Sequence, residues 1–199
     1  MAQTRQIDEL KTIDYETYFG EMDISEQEKR RRIGLAEELE VLFLYLFVSF
    51  AELPDAVSVV DEKYREIATR YLGMNNTPAY IADQAARIAQ ETVQTTEEHE
   101  GQAFYTSKDR AMLISANQAN TIANYEQHVE AVKMGKHYKI WDNMKDKYVR
   151  HTHVLADGQK VGIFEPFVVG DSLLNFPTDL SLGASLEETA GCRCTLKYE

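Results

Sequence analysis

The sequence predicts an α+β protein, with a helical N-terminal part followed by a small, loop-rich β unit at the C-terminus. Three observations carry this reading. Up to Gly135, apolar residues recur at three- and four-residue spacing between helix start and stop signals. Beyond it, short β-rich pieces alternate with turns that contain Gly or Pro. Charge divides the chain as well: residues 131–160 hold seven Lys or Arg against three Asp, a surplus of four, so the remainder carries −16 of a total of −12. Segregated helices and strands define α+β, where alternation would define α/β. The expected division is a helical region over 1–103 and a second region over 104–199 that joins one helix to the β unit.

The helices follow in order. Ser25 with Glu28 three residues later reads as a capping box. It opens a long helix that Pro54 ends, because proline has no N–H to donate within a helix. The run from Val41 to Ala51, VLFLYLFVSFA, is apolar on every face, so it calls for cover all round by the fold or by a partner. Its 11 residues fall short of the roughly 20 that a membrane span needs, and no membrane association is expected. A second helix runs from Asp55 to Leu72, with Val59, Tyr64, Ile67 and Tyr71 on its apolar stripe and Gly73 as its stop. Thr77 and Pro78 read as N-cap and first residue of a third, whose stripe is Ile81, Ala85, Ile88 and Ala89. The fourth spans Ser107 to Met134, with Leu113, Ile114, Ile122, Tyr125 and Val129 inward. In the tail, HYKIW, KYVRHTHV, QKVGIF, FVVG and CTLKY read as strands.

Composition excludes several classes. With 44% apolar residues, 10 Gly, 4 Pro and 2 Cys, the chain is neither a disordered acidic polymer, nor fibrous, nor a disulfide scaffold. A net charge of −12 excludes a protein that coats nucleic acid along its whole surface, so any DNA contact would be local. The first residues mix charges without an apolar core, so no secretory signal is expected and synthesis in a reducing cytoplasm follows.

Residues that could carry chemistry concentrate in the tail. On a strand, His151 and His153 would share a face, and so would Cys192 and Cys194. Imidazole and thiolate are the ligands of tetrahedral zinc, which makes His153, Cys192 and Cys194 the candidate metal site and zinc the one cofactor suggested. Two further readings of the cysteines stay open: buried reduced thiols filling a small core, or a redox pair, the latter opposed by the strain of a Cys-x-Cys disulfide. A loop-rich unit of this size has a weak core, which favours a metal staple. Asp157-Gly158 reads as a turn, Asp146 and Arg150 as an ion pair or loop-fixing hydrogen bonds, and Trp141 as a core anchor. The basic stretch offers Lys136, Lys139, Lys145 and Lys147 for docking to an acidic partner or DNA. A His with Asp146 or Asp157 could activate a cysteine, but no spacing places them together. Phosphate loops, HExxH and the serine elbow are absent from the sequence, and no catalytic residue is assigned.

The order of these residues is familiar. Trp141, Asp146, Arg150, His153, Asp157, Gly158, Gln159 and Val161 form the run W-x4-D-x3-R-x2-H-x3-DG-Q-x-V. With Glu165-Pro166-Phe167, Phe176-Pro177-x-Asp179 and Cys192-Arg193-Cys194, it resembles the phage head morphogenesis family, the Mu F-like minor head proteins, over about residues 104–196. Departures fall at Ala116, Asn117 and Gln118, where the family helix commonly has Arg-Thr-Glu, at Tyr148 for an Arg and at Gly191 for an Asn. They remove charges that a catalytic site would use. The resemblance implies a minor head protein, made in the host cytoplasm and then held in the virion head, with portal and capsid proteins as partners. The competing expectation is a metal-dependent hydrolase or nuclease-like effector delivered with the particle.

Overall fold

The computed structural model describes residues 14–199, so the N-terminal stretch read for a secretory signal, and the first 13 residues of the expected 1–103 region, lie largely outside it. Helices dominate up to Lys133 and five short strands follow, as α+β requires. The helices are α1 (Tyr15–Gly20), α2 (Glu26–Ser49), α3 (Ala56–Tyr71), α4 (Ala79–Glu98) and α5 (Lys108–Lys133). After them come β1 (Tyr138–Asp142), α6 (His151–Ala156), β2 (Lys160–Gly162), β3 (Phe167–Val169), β4 (Ser172–Leu174), α7 (Leu186–Thr189) and β5 (Thr195–Tyr198). Two compact units divide the chain, and they interleave in sequence where the expected boundary at 103/104 would have cut once. Among the described residues, one is built from 14–20 and 33–116, the other from 21–32 and 117–199.

The first unit is helical. Leu35, Leu39, Leu42, Phe43, Leu46 and Phe47 of α2 are buried, with Val60, Tyr64 and Ala68 of α3 and Ile81, Ala85, Ile88, Ala89 and Val93 of α4. The stripe of α3 is therefore the Val60–Tyr64–Ala68 row at four-residue spacing, one position away from the Val59 row. Asp55 caps α3, its carboxylate accepting the Ser58 N–H at 3.3 Å. Pro78 itself is the N-cap residue of α4, one place later than expected, and it supplies no side-chain cap. The apolar run of α2 is covered on one side only. Val41, Tyr45 and Val48 remain 68%, 52% and 85% exposed, since positions i, i+4 and i+7 share the outward face.

Among the described residues, one buried charge of this unit is fixed without a carboxylate. Arg110 donates to Thr96 Oγ1 at 2.8 Å, to the Thr92 carbonyl at 3.3 Å and to the Tyr105 carbonyl. Its guanidinium also lies 5.0 Å from the Phe47 ring centroid and 5.2 Å from that of Tyr105. Burial pushes its pKa down to about 10.

The second unit begins with the first turns of α2. Ser25 Oγ accepts the Glu28 N–H at 3.2 Å, which is the N-cap half of the capping box. The Glu28 carboxylate is drawn instead to Arg32, at 2.9 Å. Arg32 is fully buried and also donates to Asn124 Oδ1 at 3.3 Å and to Asn120 Oδ1. α5 closes in a Schellman motif at Gly135, whose φ of +71° only glycine adopts readily. There the Lys136 N–H returns to Ala131 O and the Gly135 N–H to Val132 O, both at 3.0 Å. The antiparallel sheet has order β2-β1-β5, with Trp141 opposite Leu196 and Ile140 opposite Lys160, and a separate hairpin pairs β3 with β4.

In this unit α5 buries a polar row where an apolar face was expected. Asn120, Thr121 and Asn124 are buried beside Ile122, whereas Tyr125 and Val129 are only half-buried. Each polar group has a loop to hold. Asn124 donates to the Pro177 carbonyl at 3.0 Å, Thr121 to Thr178 Oγ1 at 2.9 Å and Asn120 to the Cys192 carbonyl at 2.8 Å, while Asn117 Oδ1 accepts the Gly191 N–H at 2.9 Å. Hydrogen bonding offsets the burial of these groups, so the helix needs no continuous apolar face.

Candidate metal centre

The strand expected over 147–154 is replaced by a turn and a helix. Asp146 starts the turn, its Oδ1 accepting the Tyr148 N–H at 2.8 Å. α6 then begins at His151. Residues two apart on a helix point about 200° apart, so His151 and His153 do not share a face. His151 is exposed and His153 is 1% exposed.

The buried ring of His153 meets both cysteines. Its Nδ1 lies 3.3 Å from Cys194 Sγ and 3.5 Å from Cys192 Sγ, and the three donor atoms fall within 4.8 Å of one another. Cys194 immediately precedes β5, and Cys192 ends the turn after α7, where its N–H returns to the Thr189 carbonyl at 3.3 Å. The opposite ring nitrogen, Nε2, is 3.1 Å from Glu188 Oε2. Thr152 donates to the same oxygen at 2.7 Å. Trp141 packs edge-on against the imidazole, with centroids 5.5 Å apart and planes at 84°, and against Phe167 in the same manner at 5.3 Å.

Electrostatically the two thiols and the imidazole behave as one group. A hydrogen bond from Cys194 and the neighbouring His153 hold the Cys192 thiol well below its ordinary pKa despite burial. Cys194 moves the opposite way, because it donates to Cys192 and is itself buried beside that charge. Burial alone would lower the His153 pKa, yet the hydrogen bond and charge of Cys192, with Glu188, raise it. A divalent cation would displace these shared protons, since metal ligands are thiolates and neutral imidazole. Two sulfurs and one imidazole nitrogen suit zinc and oppose magnesium or calcium. Cysteines only 2% and 3% exposed are poorly placed for nucleophilic attack on a substrate.

The remaining motif residues hold backbone. Asp146 pairs with Arg193 instead of Arg150, which donates to the Ala190 carbonyl. Asp157 Oδ1 accepts the Asn143 N–H at 2.9 Å and pairs with Lys145. Gly158 follows at φ +74°, its N–H on the Trp141 carbonyl at 2.9 Å. The Gln159 amide makes two bonds to the backbone of Val168, at 2.9 and 3.1 Å, in the manner of an added strand. Glu165 accepts the Gly162 N–H at 2.9 Å, and Asp179 accepts the N–H groups of Asn175 and Ser181 at 3.0 and 2.9 Å. Phe167 is fully buried, Pro166 half-buried, and Pro177 is buried with its carbonyl on Asn124.

The four docking lysines divide. Lys139 is wholly buried, because it shares the inward face of β1 with Trp141, and its Nζ donates to the Asn175 carbonyl at 2.7 Å. It is therefore withdrawn from any docking surface. Lys145 is occupied by Asp142 and Asp157. Lys147 is exposed and lies over the Tyr148 ring, while Lys136 is half-buried. Glu188, Thr152 and Asn120 escaped the sequence reading, since no motif spacing marks a lone Glu, Thr or Asn.

Fold and centre together define a helix-rich α+β protein whose small β unit is organised around a buried cluster of one histidine and two cysteines. The family described as Phage Mu protein F like protein matches residues 62–197, and the chain belongs to that family. It is thus a phage head-related protein. No curated protein and no solved structure matches the chain. Among the described residues, no helix is long and apolar enough to cross a membrane.

Proposed function

We propose that this chain is a minor head protein of a tailed phage or prophage, a virion component that docks to the portal or the inner capsid during head morphogenesis. Residues 104–199 would carry the head morphogenesis part. Family membership carries the reading, and the use of the motif supports it: Asp157, Gln159, Glu165 and Asp179 secure backbone turns rather than line an open site. The partners are portal and capsid proteins, met in the host cytoplasm and retained in the virion head. A local DNA contact through Lys136 and Lys147 is weaker, because Lys139 is buried and Lys145 neutralised. Co-expression with the neighbouring portal and capsid genes tests the proposal. The chain is expected to co-sediment with portal or procapsids, and its complete absence from both would overturn the reading.

The same reading gives the β unit one zinc ion, held by His153, Cys192 and Cys194. Donor type, mutual distance and burial support it. A unit with short strands gains from a metal staple in the way small domains do. Elemental analysis of the purified chain should find one zinc per chain, and its absence after refolding with zinc would overturn this part. The effector alternative would need the same metal to meet substrate, which ligands this deeply buried oppose.

A further inference from the structure

Glu188 is the group around the cluster that the zinc reading leaves without a role. Its carboxylate is largely buried, 3.1 Å from His153 Nε2. A carboxylate at that distance accepts the Nε2–H, and the lone pair of the neutral ring then belongs to Nδ1, the nitrogen that faces both sulfurs. Metal-binding histidines recur in this arrangement, with an outer carboxylate fixing tautomer and ring angle and raising ligand basicity. The placement of Glu188 is built from two further sides. Thr152, one residue before His153, donates its hydroxyl to Oε2 at 2.7 Å. Gly170, at φ +57° in the β3–β4 turn, leaves the space into which Oε1 fits, since a Cβ there would overlap that oxygen. A short helix, a hairpin turn and a hydroxyl thus converge on one carboxylate.

We infer that Glu188 is the outer-shell positioning residue of a zinc centre whose ligands are His153 Nδ1, Cys192 Sγ and Cys194 Sγ. The inference rests on the zinc reading above and adds which nitrogen binds and what orients it. Through this carboxylate, α7 and the β3–β4 turn are coupled to metal affinity. Thr152 serves Glu188 and does not touch the metal.

Two measurements test it on the full chain. In the zinc-loaded protein with 15N-labelled histidine, long-range 1H–15N correlation should show His153 protonated at Nε2 and metal-bound at Nδ1, and binding through Nε2 would overturn the inference. Competition against a chromophoric chelator should show Glu188→Gln still binding one zinc per chain, about 10- to 100-fold more weakly. Thr152→Val should weaken binding less. With cobalt as probe, Glu188→Gln should keep the thiolate-to-metal absorption but shift its ligand-field bands, a change that loss of packing alone would not make. A wild-type chain that binds no zinc overturns both the zinc reading and this one. Zinc bound equally by wild type and Glu188→Gln overturns only the role of Glu188.

Discussion

The side-chain amide of Asn120 donates to the carbonyl oxygen of Cys192 at 2.8 Å, across 72 residues of sequence. The same amide presents its Oδ1 to the buried guanidinium of Arg32, which fixes the direction in which the NH2 points. Arg32 is held in turn by Glu28. A chain of hydrogen bonds, charge-assisted as far as Asn120, therefore runs from the first turn of α2 through α5 to the turn that carries the cysteines.

Asn120→Ala breaks this chain at its middle and leaves both a buried guanidinium N–H and the Cys192 carbonyl short of a partner. The expected cost is about 2–3 kcal/mol, the range for unsatisfied buried groups. Urea denaturation checks the midpoint, with an unchanged m-value if the compact state is retained. Asn120→Asp keeps the Arg32 partner but loses the donor to Cys192, so it should fall between wild type and Asn120→Ala. If Asn120→Ala matches wild type, the relay does not stabilise this unit.

Gly170→Ala probes the space beside Glu188. The added methyl meets Glu188 Oε1 and Thr152 Cγ2, and the positive φ strains any non-glycine residue. A flexible carboxylate can move aside, but moving it takes the acceptor away from His153. The variant should lose about 1–2 kcal/mol of stability. Thermal melts with and without zinc check this, and the zinc-dependent increment in Tm should shrink. An unchanged increment would mean that Glu188 keeps its place by another route.

How much of this was legible in the sequence depends on the kind of signal. Helix ends marked by Ser25, Gly73 and Gly135 could be read because capping and positive φ are local requirements, whereas α2 ends at Ser49, five residues before the Pro54 expected to stop it. The 147–154 segment could not: its alternation of apolar and polar residues suits a strand, but the Asp146 turn redirects the chain into α6. Lys139 looked like a surface charge from composition alone. Its burial follows from Trp141 two residues on, because one face of β1 must enter the core. His153 and the cysteines were legible as metal-ligand types, but their meeting is a property of tertiary structure. Glu188, Thr152 and the polar row of α5 had no local signature, since each acts on a partner at least 35 residues away or through another side chain.

Arg110 offers a test in the helical unit. Its guanidinium is hydrogen-bonded to Thr96, Thr92 and Tyr105 and lies over the Phe47 ring, so Arg110→Ala removes packing together with three bonds. A loss of about 3 kcal/mol is expected, in the upper range for point substitutions. Arg110→Lys should recover little of it, because an ammonium cannot reproduce the planar fork. Differential scanning calorimetry of both variants checks the order. Equal stability of Arg110→Lys and wild type would reduce the role of Arg110 to its charge.

His128 is expected to make the second unit less stable in acid. Its ring lies among Phe176 and Tyr198, at centroid distances of 5.9 and 6.2 Å, with Nδ1 buried and unpartnered among the described residues. Burial, and secondarily the Lys139 charge, lower its pKa to about 4, against the pull of Asp179. The unfolded chain takes up this proton near pH 6.5, whereas the folded chain resists until about pH 4. Between those values the unfolded state binds more protons, so stability falls as pH falls through that window. His128→Phe preserves the aromatic packing and removes the titration. At pH 5 it should exceed wild type by about 1 kcal/mol, after allowance for solvent screening of a half-buried ring, with the advantage shrinking toward pH 7.5. Urea midpoints for the two proteins across pH 4.5–7.5 decide the matter. Parallel curves would show that acid acts on this unit through groups other than His128.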